Sequence, residues 1–139
     1  MRSEQGRVVV KARPTFLPEQ EALGESISIP SSDKVALASG KDRVATEFTA
    51  DGVYLPKDGN EAVYKQEVQP LVHSVHQGFN ATILAYGASG SGKTYTMLGN
   101  KDSPGLANLI IEDLFARYDP RTCTVAVAIQ ELYNVSTSM

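Results

Sequence analysis

Gly87-Ala88-Ser89-Gly90-Ser91-Gly92-Lys93-Thr94 constrains this chain more than any other stretch. It fits the pattern G-x-x-x-x-G-K-[ST] and stands between a short apolar run, residues 81–86, and the start of a helical pattern, which is the context the motif requires. Glycines at 87, 90 and 92 permit positive φ, so backbone N–H groups can close around phosphate oxygens while the following helix points its positive end at them. Lys93 would neutralise β- and γ-phosphates as a point charge, and the Thr94 hydroxyl would ligate Mg²⁺. The competing reading is a flexible Gly/Ser-rich turn, which the strand-then-helix context disfavours.

Around this loop the pattern alternates between strand and helix. Residues 7–13 form an apolar-centred strand stopped by Pro14, which cannot donate to a ladder. Ile27 and Ile29, the turn Pro30-Ser31-Ser32-Asp33, and Val35 with Leu37 predict a small hairpin, and a further strand is expected over residues 43–48. Asp58-Gly59-Asn60 predicts a turn with Asn60 as helix N-cap, after which Tyr64, Val68, Leu71, Val72, Val75 and Phe79 follow helical spacing to Gly78. Pro70 should kink or loosen that helix. Residues 81–86 read as a buried strand. A second helix is expected to be capped by Ser103, with Pro104 in its first turn and Leu106, Leu109, Ile110, Leu114, Phe115 and Tyr118 on one face. Residues 122–133 alternate as a final strand. This order predicts an α/β domain whose sheet is covered by helices on both faces.

The 139 residues carry 13 Lys+Arg against 16 Asp+Glu, and 42% are hydrophobic, which suits one soluble domain able to bury roughly two-thirds of its unfolded surface. The apolar runs fall far short of the ~20 residues a membrane helix needs, and no secretory h-region follows the first residues, so the expectation is a chain that neither spans a membrane nor is secreted. The single cysteine, Cys123, points to a reducing compartment and is expected to be a small core residue. A formal charge of -3 gives no global attraction for DNA, and no cluster of Lys/Arg nominates a local patch.

Several further segments make the reading specific. Ala85-Tyr86-Gly87 with Ser91-Gly92-Lys93-Thr94-Tyr95-Thr96-Met97 resembles the phosphate loop of the kinesin motor domain, A-Y-G-Q-T-G-S-G-K-T-x-T-M. Gly78-Phe79-Asn80-Ala81-Thr82 resembles the family's G-x-N-[AG]-T, and Phe48-Thr49-Ala50-Asp51-Gly52-Val53-Tyr54 its F-x-x-D-x-V-[FY]. Lys11-Ala12-Arg13-Pro14 is similar to the R-x-R-P that lies against adenine, and Glu131-Leu132-Tyr133-Asn134 to E-I-Y-N. The matches come in the family's order. The resemblance implies a P-loop NTPase-type sheet flanked by helices, with ATP and Mg²⁺ as cofactors. It also implies nucleotide contacts by Arg13, Pro14, Gly87, Ala88, Ser89, Gly90, Ser91, Gly92, Lys93, Thr94 and Tyr95, of which Thr94 also holds the metal.

Departures qualify it. Ala88 replaces a glutamine, Lys11 replaces the first arginine of the adenine motif, and Tyr95 stands where many members have histidine, whose stacking role a phenol ring can fill. Pro104-Gly105-Leu106-Ala107 resembles the chromokinesin branch. After Asn134 the chain reads Val135-Ser136-Thr137-Ser138-Met139, where the family continues with an acidic residue and an apolar-x-D-L-L stretch. The switch I serines, the switch II D-x-x-G, the microtubule-facing elements and the neck linker are not among these residues. Asp102-Ser103-Pro104-Gly105 spells D-x-x-G but follows no apolar strand, and reads as a turn plus helix cap.

The resemblance therefore implies an N-terminal tail at residues 1–6, the nucleotide-binding N-terminal part of a motor domain at 7–134, incomplete relative to the full domain, and a divergent tail at 135–139. The family hydrolyses ATP to move along microtubules, which makes the microtubule the implied partner and the cytoplasm and cytoskeleton, with nucleus or spindle as variants, the implied location. The alternatives are a truncated, non-catalytic module that binds nucleotide weakly or packs against a partner, and a small-molecule kinase, for which only Arg117 and Arg121 stand where an arginine-rich lid belongs. His73 and His76 lack a third metal ligand, the Asn80 and Asn134 sequons do not suit a cytoplasmic chain, and Asp51 beside Gly52 reads as fixing a turn.

Overall fold

The computed structural model describes residues 6–14, 27–39, 44–119 and 121–130. The glutamate-to-asparagine segment at 131–134 and both tails lie outside the described residues, apart from Gly6. Strand β1 (Val9–Lys11) pairs in parallel with β5 (Gly52–Tyr54), Val9 facing Gly52 and Lys11 facing Tyr54. Parallel neighbours need a long crossover. Here it carries an antiparallel sheet of β2 (Ile27–Ser31), β3 (Lys34–Ser39) and β4 (Val44–Thr49), with β3 in the centre and the expected Ser32-Asp33 turn joining the first two.

Asp51 ties the two sheets together. Its carboxylate accepts from the Val8 N–H at 2.7 Å and its own N–H donates to the Val8 carbonyl at 2.8 Å, while the neighbouring Ala50 N–H reaches the Asp33 carbonyl. The expected turn residue thus also fixes where β1 lies relative to β5.

The helical stretch after Gly59 is continuous but not uniform: α1 (Asn60–Val63), a π-turn (Tyr64–Val68) and α2 (Gln69–His76). The cause is Pro70, which has no N–H and whose ring crowds the carbonyl four residues earlier. Widening the preceding turn accommodates it. The N-cap is Gly59 and no side chain caps the helix; Asn60, expected as the cap, is instead buried inside the first turn.

A short α3 (Lys93–Leu98) and α4 (Leu106–Arg117) follow. The cap of α4 is Gly105, not Ser103, because residues 99–104 are held in a turn of their own. Asn100 Oδ1 accepts from the Asp102 and Ser103 N–H groups, and Gly99 bridges Pro104.

The core is the face common to these helices and β5: Tyr54, Val63, Tyr64, Val68, Val72 and Leu106 are buried, with Val9, Ile83, Met97, Leu109, Ile110 and Leu114 packed against them. Burial of each aliphatic contributes roughly 1.5–3 kcal/mol, so Val63, Val68, Val72 and Leu106 are where truncation costs most. Tyr54 and Tyr64 bring hydroxyls into this core, and both are satisfied. Tyr54 donates to Glu67, which in turn pairs with Arg7 at 2.9 Å, and Tyr64 donates to Asp113 at 2.6 Å. Burial first, and the acceptor carboxylate second, push the Tyr54 phenol up to about 12 and raise that of Tyr64 further.

Three expectations are corrected. Residues 81–86 and 122–130 are not in strands: no ladder partner lies beside either among the described residues, and Leu84, Tyr86 and Ile129 are 84, 95 and 93% exposed. An apolar alternating run encodes a preference for a sheet, but the ladder needs a neighbouring chain. Cys123, expected in the core, is exposed because it belongs to the second of these segments. Among the described residues no helix is long and apolar enough to cross a membrane.

Candidate functional site

The loop from Gly87 to Gly92 leads directly into α3, and its three glycines all take positive φ: 154° at Gly87, 76° at Gly90 and 98° at Gly92. Gly92 is the N-cap of α3 in the left-handed region, a conformation that costs an L-residue about 1–2 kcal/mol. A Cβ at Gly87 would meet Ser91 Oγ, a side-chain atom that can turn aside, so it is the positive φ that favours glycine there. Ser91 donates its N–H to the Ala88 carbonyl, and the Thr96 N–H to Gly92 starts the helix.

Two cations hold this loop from different parts of the chain. Lys93 Nζ donates to the carbonyls of Gly87 and Ala88, at 2.9 and 2.8 Å, folding back over the loop it terminates. Arg13 Nη1 donates to the Gly90 carbonyl at 2.7 Å. Pro14 follows Arg13 on the surface, while Ala88, Ser89, Ser91 and Thr94 are exposed around the loop, with Thr94 in the first turn of α3. Tyr95 is 40% exposed, which leaves its ring available on one side of the helix.

Lys11 departs from the adenine motif, yet its ammonium lies 5.5 Å from the centre of the Tyr95 ring, a cation–π distance. The signal that could have placed it is its spacing: residues two apart in extended chain share a side, so Lys11 follows Arg13 to the loop. Asn60 reaches the same region from the first turn of α1. Its side-chain Nδ2 donates to the carbonyls of Tyr95 and Pro104, both at 3.1 Å. The structure thus gathers Lys11, Arg13, Lys93 and Tyr95 about one glycine-rich loop that carries no acidic residue of its own.

The loop thus combines three glycines at positive φ, two cations bonded to its carbonyls and an exposed hydroxyl at Thr94. Among the described residues no three His, Cys, Asp or Glu side chains are grouped to bind a metal ion, and the His76 ring packs on Tyr118 at 4.8 Å. A cleft of about 510 Å³ among the described residues includes none of the sequence-predicted site residues; Asn60, Lys65 and Asp102 are among those that line it.

Residues 11–138 match the kinesin motor domain. The chain belongs to that family. Kinesin-like protein KIF18B of Gallus gallus is 39% identical over 99 residues, spanning 68% of this chain, and kinesin-like protein KIN-14I of Arabidopsis thaliana is 36% identical over 138 residues, spanning 92% of it. These matches occupy 12 and 14% of the two relatives. A solved kinesin, KIF14 with ADP in complex with a microtubule, superposes with a TM-score of 0.74 at 28% identity, over 81% of this chain and 33% of that one. The α/β P-loop NTPase fold is therefore the kinesin fold, present here in part.

Proposed function

We propose that this chain binds ATP with Mg²⁺ and serves as the nucleotide-binding part of a microtubule motor. The observation that carries the reading is the loop 87–92, held by Lys93 from its own helix and by Arg13 from beyond β1. The phosphates would take the places that the Lys93 ammonium and the loop N–H groups present, Thr94 would supply a ligand to Mg²⁺, and the base would lie by Tyr95, Arg13 and Pro14. Lys11 adds charge at the same edge. A slot built from a ring face and cations reads shape more than hydrogen-bond pattern, so the preference for ATP over GTP should be modest. Residues 7–134 would be the working part, with microtubule contact and a cytoskeletal location following from the family.

A second reading, a module that binds nucleotide weakly without turnover, draws support from the unladdered segments 81–86 and 122–130, the first of which leads straight into the loop. Titration of ATP with and without Mg²⁺, followed by a turnover assay with microtubules, separates the two. Tight, magnesium-dependent binding supports the first reading whether or not these residues turn ATP over, weak binding that ignores magnesium supports the second, and no binding at all removes both.

A further inference from the structure

Asn60 is 1% exposed, yet its side chain is polar and only half satisfied. Nδ2 donates to the carbonyls of Tyr95 and Pro104, while Oδ1 is buried with no partner. An orphaned buried acceptor is destabilising, and an aliphatic side chain of similar size would avoid the cost. What the amide supplies in exchange is its two donors. One grips α3 two residues beyond Lys93, at a carbonyl that also receives the Gly99 N–H; the other grips the residue before the N-cap of α4. The connection between them is tight, since a Cβ at Gly99 would lie 2.3 Å from Gly105 N.

Building on the nucleotide-binding reading, we infer that Asn60 is a positioning residue for the phosphate site: it clamps α3 from the first turn of α1 and so sets where Lys93 and Thr94 stand relative to the loop. Without the clamp, α3 and the connection behind it are free to slide, and the lysine loses its fixed approach to phosphate oxygens. A misplacement of about 1 Å is enough to weaken a site of this kind severely.

The test is MgATP titration of the whole 139-residue chain, with a thermal melt of every variant. Asn60→Leu and the isosteric Asn60→Asp both lack the donors and should bind MgATP at least tenfold more weakly; Asn60→Gln keeps both donors and should stay within threefold of wild type. Tyr64→Phe, which loses the bond to Asp113, serves as the comparator: its melting temperature should fall while its affinity stays within threefold. The inference is overturned if affinity across the set tracks melting temperature, if Asn60→Leu binds as well as Tyr64→Phe, or if neither Asn60→Leu nor Asn60→Asp folds. Lys93→Ala distinguishes the premise: unchanged binding in that variant removes the phosphate-site reading and this inference with it, whereas loss there with full binding in Asn60→Leu removes the inference alone.

Discussion

Lys93 bonds to two carbonyls of its own loop; under the proposed function, phosphate oxygens would replace those carbonyls as its acceptors. A charge-assisted hydrogen bond is worth roughly 1.5–3 kcal/mol, and Lys93→Ala also leaves phosphate charge uncompensated. ATP affinity should fall at least tenfold in a titration. Asp113 offers a second single-residue prediction. Hydrogen bonds from Arg117 first and Tyr64 second hold its carboxyl below the usual carboxylate range. A group depressed on folding stabilises above its unfolded value, about 3.9, and that contribution is lost as pH falls through the folded value. Both bonds favour the ionised carboxylate, so the stabilisation they give goes with its charge. Melts from neutral pH downward should show wild type more stable than Asp113→Asn, with the gap closing below about pH 4. A gap that is constant with pH would contradict this.

Between α3 and α4 the chain turns back with no room for a side chain. Gly99 has φ of 74°, and a Cβ on it would meet Gly105 N and Ser103 O, each at 2.3 Å; one on Gly105 would meet the Leu98 carbonyl carbon at 2.3 Å. Those neighbours are backbone and cannot swing aside. Gly99→Ala should therefore destabilise by about 1–3 kcal/mol or more and lower the melting temperature accordingly, while Gly6→Ala, in open space, should change nothing. The same region shows what a sequence discloses. The α4 stripe from Leu106 to Leu114 was legible because helical spacing alone specifies which face is apolar, and the glycine loop because its chemistry is local. The caps were not, since Ser103 and Asn60 are good cap residues by type and only the packing of 99–105 sends them elsewhere. The π-turn was half legible: Pro70 announces a disturbance, but its form depends on how Tyr64 and Val68 reach the core. For residues 81–86, apolar composition predicts burial and cannot say which strand provides it. Lys11 was hidden for the opposite reason, being judged against a motif when its neighbour in space, Tyr95, is 84 positions away.

At the scale of the molecule the core is small and one side is unfinished. Leu84, Tyr86, Val127 and Ile129 are between 62 and 95% exposed on segments whose backbone has no ladder partner among the described residues. Unpaired extended backbone bearing apolar side chains is a template for pairing with another chain. A polypeptide of residues 1–139 should sediment as species larger than a monomer at micromolar concentration, and Leu84→Lys with Ile129→Lys should shift it toward monomer. A clean monomer with a sharp melt would count against this and favour a self-sufficient module.

The bond from Arg13 to the Gly90 carbonyl spans 77 positions. The β2–β3 hairpin and the α3–α4 turn need only neighbours in sequence, whereas this contact requires a long loop to close first, and the entropy of closure precedes any gain from the contact. The local pieces should therefore come together early, and the contacts that bring Arg13 and Lys11 to the glycine loop and Tyr95 should follow them, so that a ligand the loop would hold meets its site only once the chain has closed on itself.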